Sequence, residues 1–547
     1  MRVGALPSQD THKGCRVAKA QFPEGERVWS PRPHEVMDVG ALPDQFWWGN
    51  ASGANAITTA RNQHIPQYCG SCWAMATTSA LSDRLKIAAG PGHAEINLAP
   101  QVLINCDGGG TCFGGDPSKA YHYMSENGVP EETCQNYEAV NGECKPMGVC
   151  ETCWPGDTPD TFLPGKCVAV ANFSRWFVDE YGMVNAGRDT DVTGHKLRSA
   201  DKIKAEIFAR GPVSCGMHVS KQFVDYRGGI FKQFTPAAWL LDHEISLIGW
   251  GEENGEEFWV GRNSWGTWWG EQGLFRIAMH HFNLGIELEC TWATPSLAPS
   301  SPGEHVEEKE TAVMPGWMLA KGWESGGKVP RGGKVPHSGK VQRAPGASLV
   351  GGTYSVHPSV KKGSFHNYDE PCLRRPKAAQ ERGKRRASGI QEPIDDTADL
   401  TDLKRDLREV SMLAQVASRQ QASKSPIRTP FLPRLLACMY SGTKSVSVQD
   451  YKDADELGKY PKSWDVRNVG GINYATLDKN QHIPTYCGSC WAQSVTSALS
   501  DRINMRRNNS FPKTVVAAQA LVNCVSANET KGCRGGDPTA ANSWMQV

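Results

Sequence analysis

The sequence predicts an α+β fold in which a cleft separates two lobes. The first observation is the order of the elements, because segments with helical spacing come first and short strand-like segments follow them. The second is an internal repeat, since a cysteine-rich segment at residues 61–74 returns almost unchanged at residues 479–492. We therefore expect one complete two-lobed unit, a linker, and a second unit that contains a helical lobe alone.

Residue patterns predict the helices and strands of the first unit. One helix is expected from Trp73 to Ile87, a stretch without Gly or Pro, and another covers residues 199–210, just before Gly211 and Pro212. The strands are expected in four short runs of strand-forming residues, at 213–219, 244–250, 257–260 and 274–277. The helices and the strands therefore belong to different parts of the unit.

The segment between the two copies, residues 296–440, is predicted to be a linker. Residues 296–395 are rich in Gly, Pro, Ser and Lys, and such a composition cannot bury enough apolar surface to offset the entropy of ordering. Apolar residues from Leu400 to Leu413 keep helical spacing, which indicates one amphipathic helix, either solvated or docked. The linker is otherwise expected to be disordered.

Composition excludes several classes of partner. The net charge of +1 gives no support to nucleic-acid or anionic-membrane binding. No run of about 18 apolar residues occurs, so no membrane span is expected. The first 15 residues lack the apolar core of a signal peptide, so either a leader is missing from this chain or the protein stays in the cytosol.

The cysteines point to an oxidising compartment. Many of the 18 cysteines lie between residues 69 and 167, in an irregular, glycine-rich stretch that is typical of a disulfide framework. A metal site is the alternative, because Cys150 and Cys153 have CxxC spacing, as do Cys69 and Cys72. No His-x-x-x-His partner follows at zinc-finger spacing, so we expect neither a metal nor another cofactor.

Cys72 has the surroundings of a catalytic nucleophile. It lies where the first predicted helix begins, and a helix N-terminus and a nearby imidazolium both lower the pKa of a thiol. His243 precedes a predicted strand and Asn263 follows another, so Cys, His and Asn occur in the order that a thiol–imidazole–amide site requires. Taken singly, these residues could be a redox CxxC pair, a buried structural histidine and a turn residue.

Together these motifs resemble the papain family of cysteine proteases. The resemblance implies the papain-like fold, with a helical lobe and a β-barrel-like lobe, and proteolysis through Cys72, His243 and Asn263. It also implies that Gln63 donates to the oxyanion and that Trp265 shields the His–Asn hydrogen bond from water.

Further roles follow from the same resemblance. Gly114 and Gly115 match the segment that binds substrate backbone, and Cys15 matches a propeptide cysteine that can cap the nucleophile through a disulfide. Cys372 would be its equivalent before the second copy. The disulfides implied are Cys69–Cys112 and Cys215–Cys290. Cys106 and Cys134 belong to further structural bridges whose pairing the sequence leaves open.

A three-residue insertion narrows the resemblance to the cathepsin X (cathepsin Z) branch of the family, whose members are lysosomal carboxypeptidases. His64, Ile65 and Pro66 separate Gln63 from the following half-cystine segment. The resemblance assigns contact with the substrate carboxylate to His64, where a protonated imidazole would donate a charge-assisted hydrogen bond, with help from Tyr68. The alternative is that the insertion is only an exposed turn.

The second copy retains only part of this pattern. It has Gln481, His482 and Cys490, but no matching histidine or asparagine follows. We expect it to be unstable alone, as a relic of duplication or an artefact of gene assembly, and we favour a docked regulatory module less. The predicted boundaries are 1–40 for a propeptide-like segment, 41–295 for the peptidase, 296–440 for the linker and 441–547 for the second copy.

The resemblance therefore implies a cysteine-type carboxypeptidase that acts on peptide or protein substrates, and we expect it to be a monomer. The expected location is the lysosome, the vacuole or the extracellular space. Two alternatives remain open: a papain-like endopeptidase, and a catalytically weak binding protein that keeps the protease fold.

Overall fold

A computed structural model describes most of both copies. The described residues are 14–16, 22–51, 53–90, 93–155, 166–234, 240–280, 283–297, 461, 463–525, 530 and 532–546. The linker from residue 298 onward, the helix expected near Leu400, Cys372 and most of the segment before residue 22 lie outside them.

The described part of each copy contains α-helices. In the first copy they are α1 (Pro33–Val36), α2 (Cys72–Ala89), α3 (Pro100–Asn105), α4 (Pro117–Asn127), α5 (Ser199–Arg210) and α6 (Lys221–Val224). In the second copy they are α7 (Cys490–Arg506), α8 (Ala518–Cys524) and α9 (Pro538–Met545).

The strands of the first copy form one large sheet and two short hairpins. They are β1 (Phe46–Trp47), β2 (Gly110–Thr111), β3 (Gly114–Gly115), β4 (Glu151–Trp154), β5 (Lys166–Ala169), β6 (Val178–Met183), β7 (Val213–Met217), β8 (Ile230–Phe231), β9 (His243–Glu253), β10 (Glu256–Arg262), β11 (Leu274–Ala278) and β12 (Cys290–Pro295). The sheet has the order β6-β12-β7-β9-β10-β11-β8, and β1 pairs with β9. β2 pairs with β3, and β4 with β5.

Helix α2 is buried along almost its whole length. The predicted helix lies inside it, but α2 begins one residue earlier, at Cys72, and ends where Gly90 adopts a φ of 92°. A residue with a side chain rarely adopts that backbone conformation, so the glycine stops the helix. The other predicted helix is confirmed as α5.

Each of the four predicted strand segments overlaps an observed strand. β7, β9, β10 and β11 differ from the predicted limits by a few residues at their ends. The longest difference is in β9, which starts at His243 and continues to Glu253 because it pairs with both β7 and β10. Pairing on both sides extends a strand beyond what its own residue pattern shows.

Two apolar cores divide the first copy into the predicted lobes. The helical lobe packs α2, α3 and α4 around Trp73, Leu81, Leu103 and Tyr121, whereas the sheet lobe packs around a larger core that includes Trp250, Trp259 and Phe275. The fold is therefore the papain-like α+β arrangement, with α2 between the lobes.

Buried ion pairs fix α2 against the sheet lobe. Asp83 accepts from Nη2 of Arg262 at 2.6 Å, and the two side chains are 0% and 2% exposed. Asp83 also accepts from the backbone N–H and the hydroxyl of Thr58, both at 2.7 Å. One residue on, Arg84 donates to Glu206 of α5 at 2.9 Å. Both charges of each pair are thereby matched where water cannot reach them.

Five disulfides connect the ten framework cysteines of the first copy. They are Cys69–Cys112, Cys106–Cys144, Cys134–Cys150, Cys153–Cys167 and Cys215–Cys290. The two bridges that the resemblance implied are confirmed. Cys150 and Cys153 each bond to a different cysteine, so the metal alternative for this CxxC pair is wrong.

The described part of the second copy contacts the first copy through its own loops and side chains. The carbonyl of His482 accepts from the backbone N–H of Cys153 at 3.0 Å, and that of Ile483 accepts from the amide of Asn136 at 3.0 Å. These contacts join the His-Ile-Pro loop of the second copy to the disulfide-rich region of the first.

A buried charge cluster and an aromatic contact extend this interface. Lys513 lies 3.6 Å from Glu95, which also pairs with Lys86 of α2 at 3.4 Å, and all three side chains are buried. Burial raises the pKa of Glu95, but the two lysines outweigh it and hold the pKa at about 2. Phe511 packs edge-on against Trp47, with ring centroids 6.1 Å apart. Sequence patterning could not find this interface, because its residues share no periodicity.

None of the helices in the described part of the chain combines the length and the apolar character that a bilayer crossing requires.

We predict that Asp83→Ala lowers the free energy of unfolding by about 3–5 kcal/mol, because it leaves Arg262 buried without a counter-charge. Chemical denaturation followed by fluorescence measures the change. The matched control is Asp225→Ala, which breaks the exposed pair with Lys221 and should leave the free energy of unfolding nearly unchanged. Equal losses for the two variants would contradict the role of the buried pair.

Candidate active site

The site forms where α2 of the helical lobe meets β9 and β10 of the sheet lobe. Cys72 is the first residue of α2, His243 is the first residue of β9, and Asn263 directly follows β10. β9 and β10 are antiparallel neighbours in which Ser246 pairs with Arg262, so the histidine and the asparagine come side by side. The three predicted residues therefore meet across the interface between the lobes.

His243 is held by a hydrogen bond to Asn263. Its Nε2 lies 2.9 Å from Asn263 Oδ1, and both side chains are buried. The bond fixes the plane of the imidazole and turns Nδ1 toward the sulfur atoms, where it lies 3.1 Å from Cys15 Sγ. The ring of Trp265 covers the histidine, with centroids 5.1 Å apart. Such an imidazole is placed to exchange a proton with a thiol.

Cys72 is bonded to Cys15 in this structure. The disulfide consumes the sulfur that would act as nucleophile, so this form of the protein cannot attack a substrate. Cys15, Cys72 and His243 place potential metal ligands within 4.8 Å of one another, but both sulfurs are taken up in the disulfide and offer no thiolate.

The N-terminal segment at residues 14–16 lies across the cleft between the lobes. The carbonyl of Cys15 accepts from the backbone N–H of Gly115 at 3.3 Å, on the helical lobe. The backbone N–H of Arg16 donates to the carbonyl of Asp242 at 3.2 Å, on the sheet lobe. The segment therefore touches both walls of the cleft as well as the nucleophile.

Gly115 has a physical reason to be glycine. A Cβ at this position would lie 2.5 Å from the indole of Trp73 and 2.7 Å from the carbonyl oxygen of Gly109. Gly114, beside it in β3, has a φ of 117°. Gly115 therefore lets β3 pack directly against Trp73, and Gly114 allows a backbone conformation that a residue with a side chain rarely adopts.

Gln63 is anchored beside the start of α2. Its Nε2 donates to the carbonyl of Cys69 at 3.0 Å, and its Oε1 accepts from Ser264 Oγ at 2.6 Å. Tyr137 donates to the carbonyl of Gln63 at 2.9 Å and lies 2.6 Å from Ser71 Oγ, so it joins the glutamine to the residue before Cys72. Sequence reasoning missed Tyr137, which lies in the disulfide-rich region without a motif of its own.

His64 extends the site toward solvent. Its ring stacks on Tyr68 with centroids 5.1 Å apart, and on Trp265 at 6.0 Å, so it lies next to the indole that covers His243. Ile65 and Tyr68 are exposed, at 60% and 56%. Partial burial raises the pKa of Tyr68, which stays a neutral hydrogen-bond donor at physiological pH. The loop therefore presents the polar side chain of Tyr68 to solvent, next to His64 and Trp265.

The second copy reproduces the early part of this geometry. Gln481 Nε2 donates to the carbonyl of Cys487 at 3.0 Å, as Gln63 does to Cys69. Cys490 begins α7 and is disulfide-bonded. His482 packs against Trp154 of the first copy, with centroids 5.5 Å apart, and burial lowers its pKa. His482 is the only histidine in residues 461–547, so a base for Cys490 would have to come from elsewhere.

Comparison with known proteins bears on this geometry. The protein-family model described as "Papain family cysteine protease" matches residues 42–294 and 460–547 of the sequence, which is more than half of the chain. The chain belongs to the papain family of cysteine proteases. Papain-family relatives include cathepsin Z of Onchocerca volvulus, 40% identical over 309 residues that cover 54% of this chain and 93% of the relative. Cathepsin B-like cysteine proteinase 5 of Caenorhabditis elegans is 32% identical over 288 residues, covering 49% and 80%.

Solved papain-family structures are also similar to the chain. The bromelain protease from Ananas comosus is 25% identical, with a TM-score of 0.34, and the match covers 46% of this chain and 99% of bromelain. Digestive procathepsin L 3 from the Tenebrio molitor larval midgut is 22% identical, with a TM-score of 0.36, covering 49% and 76%.

We predict that Cys72 reacts with iodoacetamide only after a reductant has opened its bond to Cys15. Cys15→Ser should make Cys72 reactive without reductant, whereas Cys144→Ser, which opens a different bridge, should not. Peptide mapping by mass spectrometry identifies the alkylated cysteine. Rapid alkylation of Cys72 in the unreduced wild-type protein would contradict the disulfide.

Proposed function

We propose that this protein is a cysteine carboxypeptidase, made as a zymogen whose nucleophile is capped by Cys15. The observation that carries the proposal is the position of His64, stacked between Tyr68 and the Trp265 that covers His243. This places an imidazole at the open end of the cleft, near the catalytic pair. A protonated imidazole there can bind the terminal carboxylate of a peptide.

Activation requires an external thiol reductant. Two equivalents of a small thiol reduce the Cys15–Cys72 bond, leave both cysteines as thiols and become a disulfide themselves. His243 then takes the proton from Cys72, and the start of α2 further favours the thiolate. The N-terminal segment can then leave the cleft, and the backbone of Gly115 in β3 becomes available for pairing with a substrate.

Peptide-bond cleavage then proceeds in two steps. The Cys72 thiolate attacks the carbonyl carbon of the last peptide bond, and the oxyanion is bound by the backbone N–H of Cys72 and by Gln63. His243 gives its proton to the leaving amine, which is the terminal amino acid, and a thioester remains. Water, deprotonated by His243, hydrolyses the thioester and regenerates the thiol.

The loop that carries His64 also accounts for exopeptidase action. The exposed side chains of Ile65 and Tyr68 stand at the end of the cleft, where a longer substrate would have to continue. A substrate that ends there gains the contact between its carboxylate and His64, whereas one that continues past it loses that contact and meets the loop. The same arrangement therefore selects the terminal bond.

The proposed setting is oxidising, either the lysosome or vacuole or the extracellular space. The five framework disulfides of the first copy fit a protein that folds in the secretory pathway. The proposed substrates are peptides or proteins with a free C-terminus, and the proposed working form is a monomer.

We predict that the reduced protein releases single residues from a peptide with a free C-terminus but not from its amidated twin. His64→Ala should lower kcat/KM on the free acid by about 10- to 100-fold, since a charge-assisted hydrogen bond contributes about 1.5–3 kcal/mol. The matched control is His482→Ala in the second copy, which should leave kcat/KM unchanged. Mass spectrometry of the products measures each rate.

Each other outcome points to a different function. Equal internal cleavage of the free and amidated peptides would replace the carboxypeptidase proposal with an endopeptidase. No cleavage of either peptide, after full reduction, would indicate a protein that keeps the protease fold for binding alone.

A further inference from the structure

Arg16 is the residue of the N-terminal segment that the catalytic proposal leaves unexplained. It follows the cysteine that caps Cys72, yet its side chain is only 1% exposed. Its Nε donates to Glu244 Oε2 at 2.8 Å, and its Nη2 pairs with the carboxylate of Glu289. A long cationic side chain is thus inserted into an acidic recess of the sheet lobe, directly beside the nucleophile.

The walls of the recess are also held by contacts that do not involve Arg16. Glu244 directly follows His243 on β9, and Ser214 of the neighbouring strand β7 donates its hydroxyl to Glu244 Oε1 at 2.7 Å. One carboxylate oxygen is therefore held by the protein, and the other faces the guanidinium. This orientation fixes a negative charge toward the cleft.

Gly216 makes the space that the guanidinium fills. It pairs with Glu244 across β7 and β9, so the two residues are neighbours on the wall of the recess. A Cβ at Gly216 would lie 3.0 Å from both Cζ and Nε of Arg16 and 3.1 Å from the side chain of Leu241. The wall is therefore shaped to admit a flat cationic group.

When Arg16 is gone, Glu244 stays ionised only if another cation takes its place, and otherwise it takes up a proton. Burial raises the pKa of Glu244 to about 7, even though Arg16 and Ser214 act in the opposite direction. Leaving a buried carboxylate without a counter-charge is unfavourable. Opening the Cys15–Cys72 bond frees the segment that carries Arg16, so the same event that exposes the nucleophile also vacates the recess.

Substrate backbone would bring a side chain to the same place. Arg16 bridges to Gly115 in the strand-like pairing that an extended substrate would use. Its neighbour Cys15 stands at the nucleophile, in the position of the residue that carries the attacked carbonyl. In the proposed function the C-terminus of the substrate lies at His64, so the part of the substrate at Gly115 precedes the cleaved bond. The substrate therefore runs in the opposite direction to residues 15–16, whose bridge to Gly115 is parallel. The side chain that replaces Arg16 then belongs to the residue just before the one that carries the attacked carbonyl.

We propose that Glu244, with Ser214 and Gly216, forms a cation-selective subsite that binds an arginine or lysine side chain of the substrate. That residue is the second on the N-terminal side of the cleaved bond, and it is the third from the end in a peptide that loses its last residue. The inference rests on the proposed function and adds the substrate class to it. The carboxylate of Glu289, whose side chain is 17% exposed, adds a second negative charge at the rim of the recess.

The test compares peptides that differ only at the third residue from a free C-terminus. One carries arginine, one carries the neutral isostere citrulline, and one carries leucine. With the reduced full-length protein at near-neutral pH, kcat/KM for arginine should exceed that for citrulline by about 10- to 100-fold, because the neutral group leaves Glu244 without a counter-charge.

Variants of the recess separate charge from shape. Glu244→Gln should remove the preference for arginine over citrulline but retain hydrolysis of the leucine peptide. Glu289→Gln should weaken the preference only partly. If Glu244→Gln fails to fold, Gly216→Ala provides the second variant, because it should slow cleavage of the arginine peptide more than that of a peptide with alanine at the same position.

The outcomes distinguish this inference from the function on which it rests. An arginine-to-citrulline ratio near one in the wild-type protein, or a ratio unchanged in Glu244→Gln, overturns the subsite while leaving the peptidase intact. If no peptide is hydrolysed, the proposed function fails. The subsite is then tested by protection of Cys72 from alkylation, which the arginine peptide should provide and the citrulline peptide should not.

Discussion

The buried position of helix α2 is the constraint on which the rest of the structure depends. Asp83 and Arg84 join it to Arg262 and Glu206 through ion pairs that water does not reach. Asp83 lies eleven residues along the helix from Cys72, or roughly 16 Å at the usual helical rise. Because the helix cannot shift without uncovering buried charges, its first residue stays opposite His243. The reactivity of one sulfur atom thus depends on contacts three turns away.

The N-terminal segment occupies the cleft at the start of that helix, in the place where we propose that substrate binds. In this structure the N-terminal segment contacts three groups that we propose a substrate also contacts: the sulfur of Cys72, the backbone of Gly115 and the carboxylate of Glu244. In this proposal, inhibition by the chain's own segment and recognition of substrate depend on the same groups. The side chain of Arg16 in the inhibited form then indicates which substrate side chain the cleft accepts.

Local signals explain why part of this account could be predicted from the sequence. Cys72, His243 and Asn263 each lie at the end of an element with a recognisable pattern, and their order along the chain agrees with one chemistry. The pair of Arg16 and Glu244 could not be predicted, because its partners are 228 residues apart and neither belongs to a motif. The contact between Lys513 and Glu95 could not be predicted either, because residues of two complementary surfaces follow no periodic pattern in the sequence. Sequence showed which residues carry the chemistry, and tertiary packing decided what surrounds them.

The central claim is that Cys72 and His243 act as a thiolate–imidazolium pair once Cys15 is removed from the sulfur. The most direct measurement is the rate of Cys72 alkylation as a function of pH in Cys15→Ser, with His243→Ala added as the comparison. The account predicts a thiol that titrates well below the ordinary value of about 8.5 and returns toward it when the histidine is lost. An ordinary titration in Cys15→Ser, unchanged by His243→Ala, would contradict it.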